Sequence, residues 1–296
     1  MGELLSILTS FFWAGTSTAF TVSAQIAGHR VVNRSRLLVA LVLLVITHFI
    51  LTGSIIPMGV ELDRWLWLGV SGIVGLIVGD HFLLLSFGML GSHLAMLVFA
   101  SSPLLSALFA WLAFGEVLSL QDLLGIGFTV GGIILVIQNK RGESETIRDR
   151  EQLLKGVAAA FLAAAGQALA LITAKIGLAD GFPAFSAVVM RILVAAAVIW
   201  LATILKHEAR STLSWIGRNR YTAHLLVGSI VGPYIGIWFS LLSVQFTTNV
   251  GVASALMSLA PIILLPVERF WFGNRITVAA IAGTVLAVLG VFLLIL

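Results

Sequence analysis

The chain has 296 residues, of which 59% are hydrophobic and only 10% charged, with a mean hydropathy of +1.10. A soluble domain carries roughly 25% charged residues, so this chain cannot cover itself with a polar surface and its solvent is lipid. It has no cysteine, which excludes disulfides and thiol chemistry, and its net charge of +4 lies in loops, where it reads as membrane topology and not as nucleic-acid binding.

A bilayer-spanning helix takes about 20 mostly apolar residues. The apolar runs are continuous and not alternating, which favours helices over a barrel. In chain order they predict spans at about 4–27, 36–56, 64–88, 91–114 and 120–138, then at about 152–174, 184–205, 222–245, 250–272 and 276–296. The first run lacks a basic leader and reads as a retained helix, not a cleaved signal peptide. The one sizeable polar stretch, near Asn139 to Lys155, reads as a solvated loop and helix start. The chain thus divides into a first unit at 1–138, a polar linker at 139–151 and a second unit at 152–296.

The two units echo each other. Pro103 to Ile137 aligns without a gap with Pro261 to Ile295 at an offset of 158 residues, which sets Gly115 on Gly273, Gly125 on Gly283 and Gly132 on Gly290. Prolines and glycines repeated at fixed spacing mark a duplicated unit. Five spans per unit is an odd number, so the second copy is inverted. The expected fold is all-α integral membrane, with ten transmembrane helices from two inverted five-helix repeats.

Positive charge falls mostly on one side of that plan. Arg30, Arg34 and Arg36 follow the first span, Lys140 to Lys155 contributes the linker cations, and Lys206, Arg210, Arg218, Arg220 and Arg275 follow the seventh and ninth spans. Only Arg64 and Lys175 fall opposite. The positive-inside rule makes the rich side cytoplasmic and places both termini outside.

Each unit ends in P-x11-G-[E/N]-x-x-[S/T]-x5-G-x6-G, and the first carries upstream the glycine-rich span GLIVGDHFLLLSFGMLGSHLAML. With these motifs the chain resembles, over essentially its whole length, the EamA-type transporters of the drug/metabolite transporter superfamily. The resemblance implies ten helices in two five-helix repeats, a place in the cytoplasmic membrane, export of a small solute and cytoplasmic termini, the last against the charge asymmetry. The second motif departs from the first in reading Gly273-Asn274 where the first has Gly115-Glu116.

Candidate functional residues lie inside the spans. Pro103, Pro233 and Pro261 fall near mid-span, where proline removes a backbone donor and frees a carbonyl; they bend helices around a cavity or merely kink them. Ser101 and Ser102 can bond the carbonyl that Pro103 frees, or a substrate. Asp80 stands near the middle of the third span, where an acid costs at least ~2.5–3.5 kcal/mol on the insertion scale. It can exchange a proton or bind a cationic group, or it can pair with a hydroxyl or backbone. His81 points about 100° away from it. His48 is a further candidate, although a lone buried histidine is more often simply hydrogen-bonded. Arg191, two turns inside the seventh span, can snorkel outward or bind an anionic group. Gln167, Gln245 and Asn249 are uncharged polar groups able to line a pathway, and Trp238 packs or faces substrate. Glu268 and Arg269 read as interfacial. The glycine pairs Gly75/Gly79 and Gly127/Gly131 allow close helix contact.

No phosphate-binding loop and no His/Cys/Asp/Glu cluster of metal-ligand spacing occurs, so no cofactor, metal or catalytic residue is expected. The leading reading is a secondary transporter that moves a small metabolite or drug-like solute by alternating access, with proton coupling through Asp80, as a monomer or homodimer in the bilayer. The alternative is an integral-membrane enzyme acting on a lipid-linked substrate, for which Asp80, Arg191 and Glu268 would have to converge.

Overall fold

The computed structural model describes residues 1–114, 120–142, 147–217, 219–246, 250–273 and 276–293, and no strand occurs among them. Helices α1 (Gly2–Ala27) and α2 (His29–Thr52) are followed by α3 (Leu62–Gly72), a π-helical segment (Ile73–Gly79) and α4 (Asp80–Leu90). Then come α5 (Ser92–Phe99), α6 (Ser102–Phe114), α7 (Leu120–Gly142) and the long α8 (Ile147–Gly177). Beyond it lie α9 (Ala184–Leu205), the short α10 (Ala209–Leu213), α11 (Asn219–Ser229), a second π-helical segment (Ile230–Gly236) and α12 (Ile237–Phe246). The chain closes with α13 (Val250–Met257), α14 (Ala260–Phe270) and α15 (Val278–Leu293).

Seven stretches among the described residues are long and apolar enough to cross a membrane. Three shorter apolar helices, Ser92–Ser106, Leu124–Asn139 and Val278–Leu293, fall at the remaining expected span positions. Several elements recur at the offset seen in the sequence: α5 and α13, α6 and α14, and α7 and α15 each begin 158 residues apart.

The second helix begins well before the expected position 36. Gly28 alone separates α1 from α2, with φ 81° and ψ 150°. That conformation is open to glycine and strained for other residues, so one residue reverses the chain and no loop is left. Arg30, Arg34 and Arg36 therefore ride on the first turns of α2 rather than in a connection.

The bundle turns apolar side chains outward and hydroxyls inward. Ile46, Phe49 and Ile50 on α2 and Leu201, Ile204 and Leu205 on α9 are exposed, as a lipid-facing surface requires. Ser6, Thr9, Ser10, Ser17 and Thr21 on α1 are buried. Several satisfy themselves on their own helix: Ser6 Oγ donates to Gly2 O at 3.1 Å and Thr9 Oγ1 to Leu5 O at 2.7 Å. Packing interleaves the two units, because α1 lies against α11, the second π-helical segment and α12, while α8 lies against α3, the first π-helical segment and α4.

Helix α7 packs along α15 through glycine. A Cβ on Gly132 would strike Gly283 O and Ala287 N, and one on Gly290 would strike Thr129 N and Gly125 O. The backbones touch directly, and Thr129 Oγ1 donates across the seam to Ala287 O at 3.3 Å. At the 158-residue offset each of these contacts maps onto the other. Gly127 and Gly131, expected to form such a face, point away from the seam: a Cβ on either would meet nothing within 4 Å.

Candidate functional site

A cavity of about 80 Å³ lies in the middle of the bundle, with room for a few waters. Its walls come from α1, α2, the first π-helical segment, α4, α5, α8, α9, the second π-helical segment and α12. Among the described residues the charged groups lining it are Arg36, Asp80 and Arg191.

Arg36 belongs to the buried stripe of α2, where Val32, Ala40, Leu44 and His48 recur at i+4 spacing. Its Nε–H donates to Asn33 Oδ1 at 2.9 Å, one turn earlier on the same helix. Its Nη2 donates to Leu76 O at 3.1 Å and forms an ion pair with Asp80 Oδ2. The π-helical segment helps to make this arrangement. Asp80 N–H is shared between Gly75 O and Ile77 O and bypasses Leu76 O, its acceptor in an α-helix. Leu76 O instead receives Arg36, and Ile77 O receives Asn33 Nδ2 at 3.3 Å. Phe20 adds its ring face 5.8 Å from the Arg36 guanidinium carbon. The partner of Asp80 is thus a cation, not the hydroxyl or backbone group considered from sequence.

Arg191 reaches the same cavity from α9. Glycines admit it: a Cβ on Gly72 would collide with Arg191 O, and one on Gly75 would lie 2.8 Å from Ala170 Cβ and 3.5 Å from Arg191 Nη2. The side chain runs past Gly75 into the cavity and does not snorkel to the surface. Arg191 is 3% exposed, and its Nε is buried without a hydrogen-bond partner. Two guanidinium groups thus face one carboxylate. Thr16, Ser17, Gln167 and Ser240 supply neutral polar groups, and Trp13, Phe20, Phe87, Met96 and Phe99 supply apolar walls.

A second, smaller cavity shares Trp13, Met96, Phe99 and Gln167 with the first and adds Ser102, Ser254, Ser258 and Pro261. It lies where two helices break. Ala100 and Ser101 interrupt α5 and α6, and Ser258 and Leu259 interrupt α13 and α14. Pro103 and Pro261 sit in the first turns of α6 and α14, where a missing N–H matters least, so they start new helices rather than bending continuous ones. Ser101 Oγ donates to Val98 O at 2.7 Å, and the buried Ser102 Oγ has no partner. Pro233 lies inside the second π-helical segment and lines the central cavity.

Other candidates lie elsewhere. His81 faces a separate basic groove with Arg30, Arg34, Lys206 and Glu208, its ring 4.7 Å edge-on from that of His29. In that groove Arg34 donates to Glu208, holding the carboxyl below its ordinary value of 4.5. His48 closes the end of α2, with Nδ1 2.7 Å from Ser54 O and its ring stacked on Phe185 at 6.3 Å. Trp238 meets Phe185 edge-on at 4.9 Å. Gln245 Nε2 donates to Phe182 O at 3.2 Å. Asn249 and the Gly115-Glu116 pair lie outside the described residues. Glu268 accepts from Ser92 Oγ at 3.0 Å and from His93 N–H at 3.3 Å, so it caps the N-terminus of α5 and does not converge with Asp80 and Arg191.

Arg36 is the functional candidate that sequence reasoning missed. Beside Arg30 and Arg34 its charge reads as a mark of topology. The signal is its place in the i+4 stripe ending at His48, which only one face of a helix begun before position 36 could carry.

Comparison with protein families finds the EamA-like transporter family model matching residues 1–138 and 154–296. No curated protein matches significantly. Among solved structures, one titled only as a protein crystal structure superposes with a TM-score of 0.70 over 99% of this chain and 94% of its own, at 17% identity. At that identity the likeness concerns the fold alone.

Proposed function

The chain belongs to the EamA-like transporter family of the drug/metabolite transporter superfamily, and on that footing we propose that it is a secondary transporter moving a small metabolite or drug-like solute across the cytoplasmic membrane. The observation that carries the reading is the central cavity, which holds an ion pair and is walled by helices of both 1–138 and 152–296. Two inverted five-helix units rocking about such a cavity would expose it to each side in turn. Helix breaks at Ala100–Ser101 and Ser258–Leu259 support this, since secondary transporters build their sites on discontinuous helices. The net direction proposed is export. Solute must bind the inward and outward states differently for the cycle to run. Asp80, freed from Arg36 in one state, is the group proposed to exchange a proton.

The test compares cells producing the chain, its Asp80→Asn variant and neither, with small metabolites quantified inside and in the medium without prior choice of substrate. A compound redistributed by the wild type and not by an equally expressed variant supports transport through this cavity. Redistribution by both keeps transport and removes Asp80 from it. No redistribution by the wild type across several growth conditions overturns the proposal.

A further inference from the structure

We infer that the solute of the central cavity is an organic monoanion, a carboxylate on an apolar body; this rests on the transporter reading of the same cavity. Charge makes the first argument. Of the charged groups lining the cavity among the described residues, Arg36 and Asp80 neutralise each other. Arg191 is left over, 3% exposed, with Nε buried and unpartnered. A guanidinium cannot shed its proton to escape burial, and an unpaired buried charge is unfavourable by several kcal/mol. One negative charge brought by the solute completes the set. In the state described, with Asp80 ionised and paired with Arg36, a neutral solute leaves the excess unmet, a cation increases it and a dianion overshoots it.

Geometry makes the second argument. Gly75 leaves the space through which the Arg191 fork enters the cavity, and that planar fork matches a carboxylate in two parallel hydrogen bonds. The largest wall residues are aromatic, Trp13, Phe20, Phe87 and Phe99, with the neutral polar groups Thr16, Ser17, Gln167 and Ser240 between them. These aromatic walls suit a hydrocarbon or aromatic body, for which the cavity of about 80 Å³ must widen on binding, and not a hydrated inorganic ion. A zwitterion finds no unpaired carboxylate for its ammonium, because Asp80 is already held by Arg36, and only neutral acceptors such as Gln167 are left to it.

The test uses the purified full chain in detergent and its thermal unfolding with four probes: phenylacetate, phenylacetamide, phenethylammonium and inorganic phosphate. A ligand that binds only the folded state raises the midpoint by mass action. The expected result is a rise with phenylacetate alone, an affinity at least about tenfold weaker in Arg191→Gln, and partial recovery in Arg191→Lys, which keeps the charge should the glutamine variant be poorly folded. An equal rise with the amide or the ammonium, a rise with phosphate only, no rise with phenylacetate, or an unchanged response in a folded Arg191→Gln overturns the inference. The metabolite comparison separates the two readings. Redistribution of neutral or cationic compounds overturns the anion assignment and leaves transport standing, whereas phenylacetate binding through Arg191 without any redistribution supports the anion site and removes transport.

Discussion

Arg36 on α2 and Asp80 at the head of α4 form an ion pair inside the bundle, with side chains 5% and 20% exposed. Breaking a buried pair by removing one partner is worse than removing both, because it strands a charge. Asp80→Asn is expected to destabilise the protein by about 3 kcal/mol, softened by the bonds Arg36 keeps to Asn33 and Leu76. The double variant Arg36→Gln/Asp80→Asn should recover most of the loss. Unfolding of the detergent-solubilised variants checks this, and equal stability of single and double variants would show that the two residues are not coupled.

The seam between α7 and α15 gives a paired prediction. Gly132→Ala places a methyl group against the backbone of α15, which cannot swing aside as a side chain would. A loss of roughly 1–3 kcal/mol is expected. Gly127→Ala, five residues earlier on the same helix, meets open space and should be neutral or stabilising by about 0.5–1 kcal/mol, since alanine is the better helix former. Similar melting behaviour in the two variants would contradict the packing described.

Glu208 makes a pH prediction. Arg34 holds its carboxyl below the ordinary 4.5. The folded state therefore binds that proton less readily than the unfolded chain, and the resulting stability is present above the ordinary value and lost as pH falls through the depressed one. The wild type should be slightly more stable than Glu208→Gln at pH 7, with the difference vanishing in acid. Melting curves of both proteins across that range decide it, and a difference that grows on acidification would reverse the assignment.

His48 is expected to matter for stability and not for transport. His48→Ala removes the bond to Ser54 O and the stack on Phe185, which should weaken the fold by about 1–2 kcal/mol. Once a transported compound is known, its initial rate per folded molecule should be unchanged. A selective loss of rate in a stable variant would return His48 to the pathway.

The residues differ in how plainly the sequence announced them. Apolar runs located the helices because lipid demands continuous hydrophobicity, whereas Pro103 and Pro261 read as bends in continuous spans and instead lie in the first turns of new helices. Asp80 stood out because an acid in such a run needs a reason to be there. Arg36 did not, since a cation beside Arg30 and Arg34 looks like an interfacial charge until α2 is known to begin at His29. The direction taken by Arg191 was equally hidden. Snorkelling and cavity-facing differ only by which face of α9 meets Gly72 and Gly75, a tertiary fact. The π-helical segments left no local signature beyond glycine, although the first takes the Asp80 N–H away from Leu76 O and shares it between Gly75 O and Ile77 O.

The α7–α15 seam also bears on how the protein is made. Helix α7 finds its main partner in α15, the last described helix of the chain. Chains emerge from the ribosome N-terminus first, so α7 is made long before the surface that fits Gly125 and Gly132 exists. Until α15 is made, that glycine face lacks its main partner. Shortened products ending before Val278 would keep the cavity-lining side chains and still lack the one helix that closes the seam. Their fate in the cell should be decided by membrane quality control rather than by any defect in the cavity.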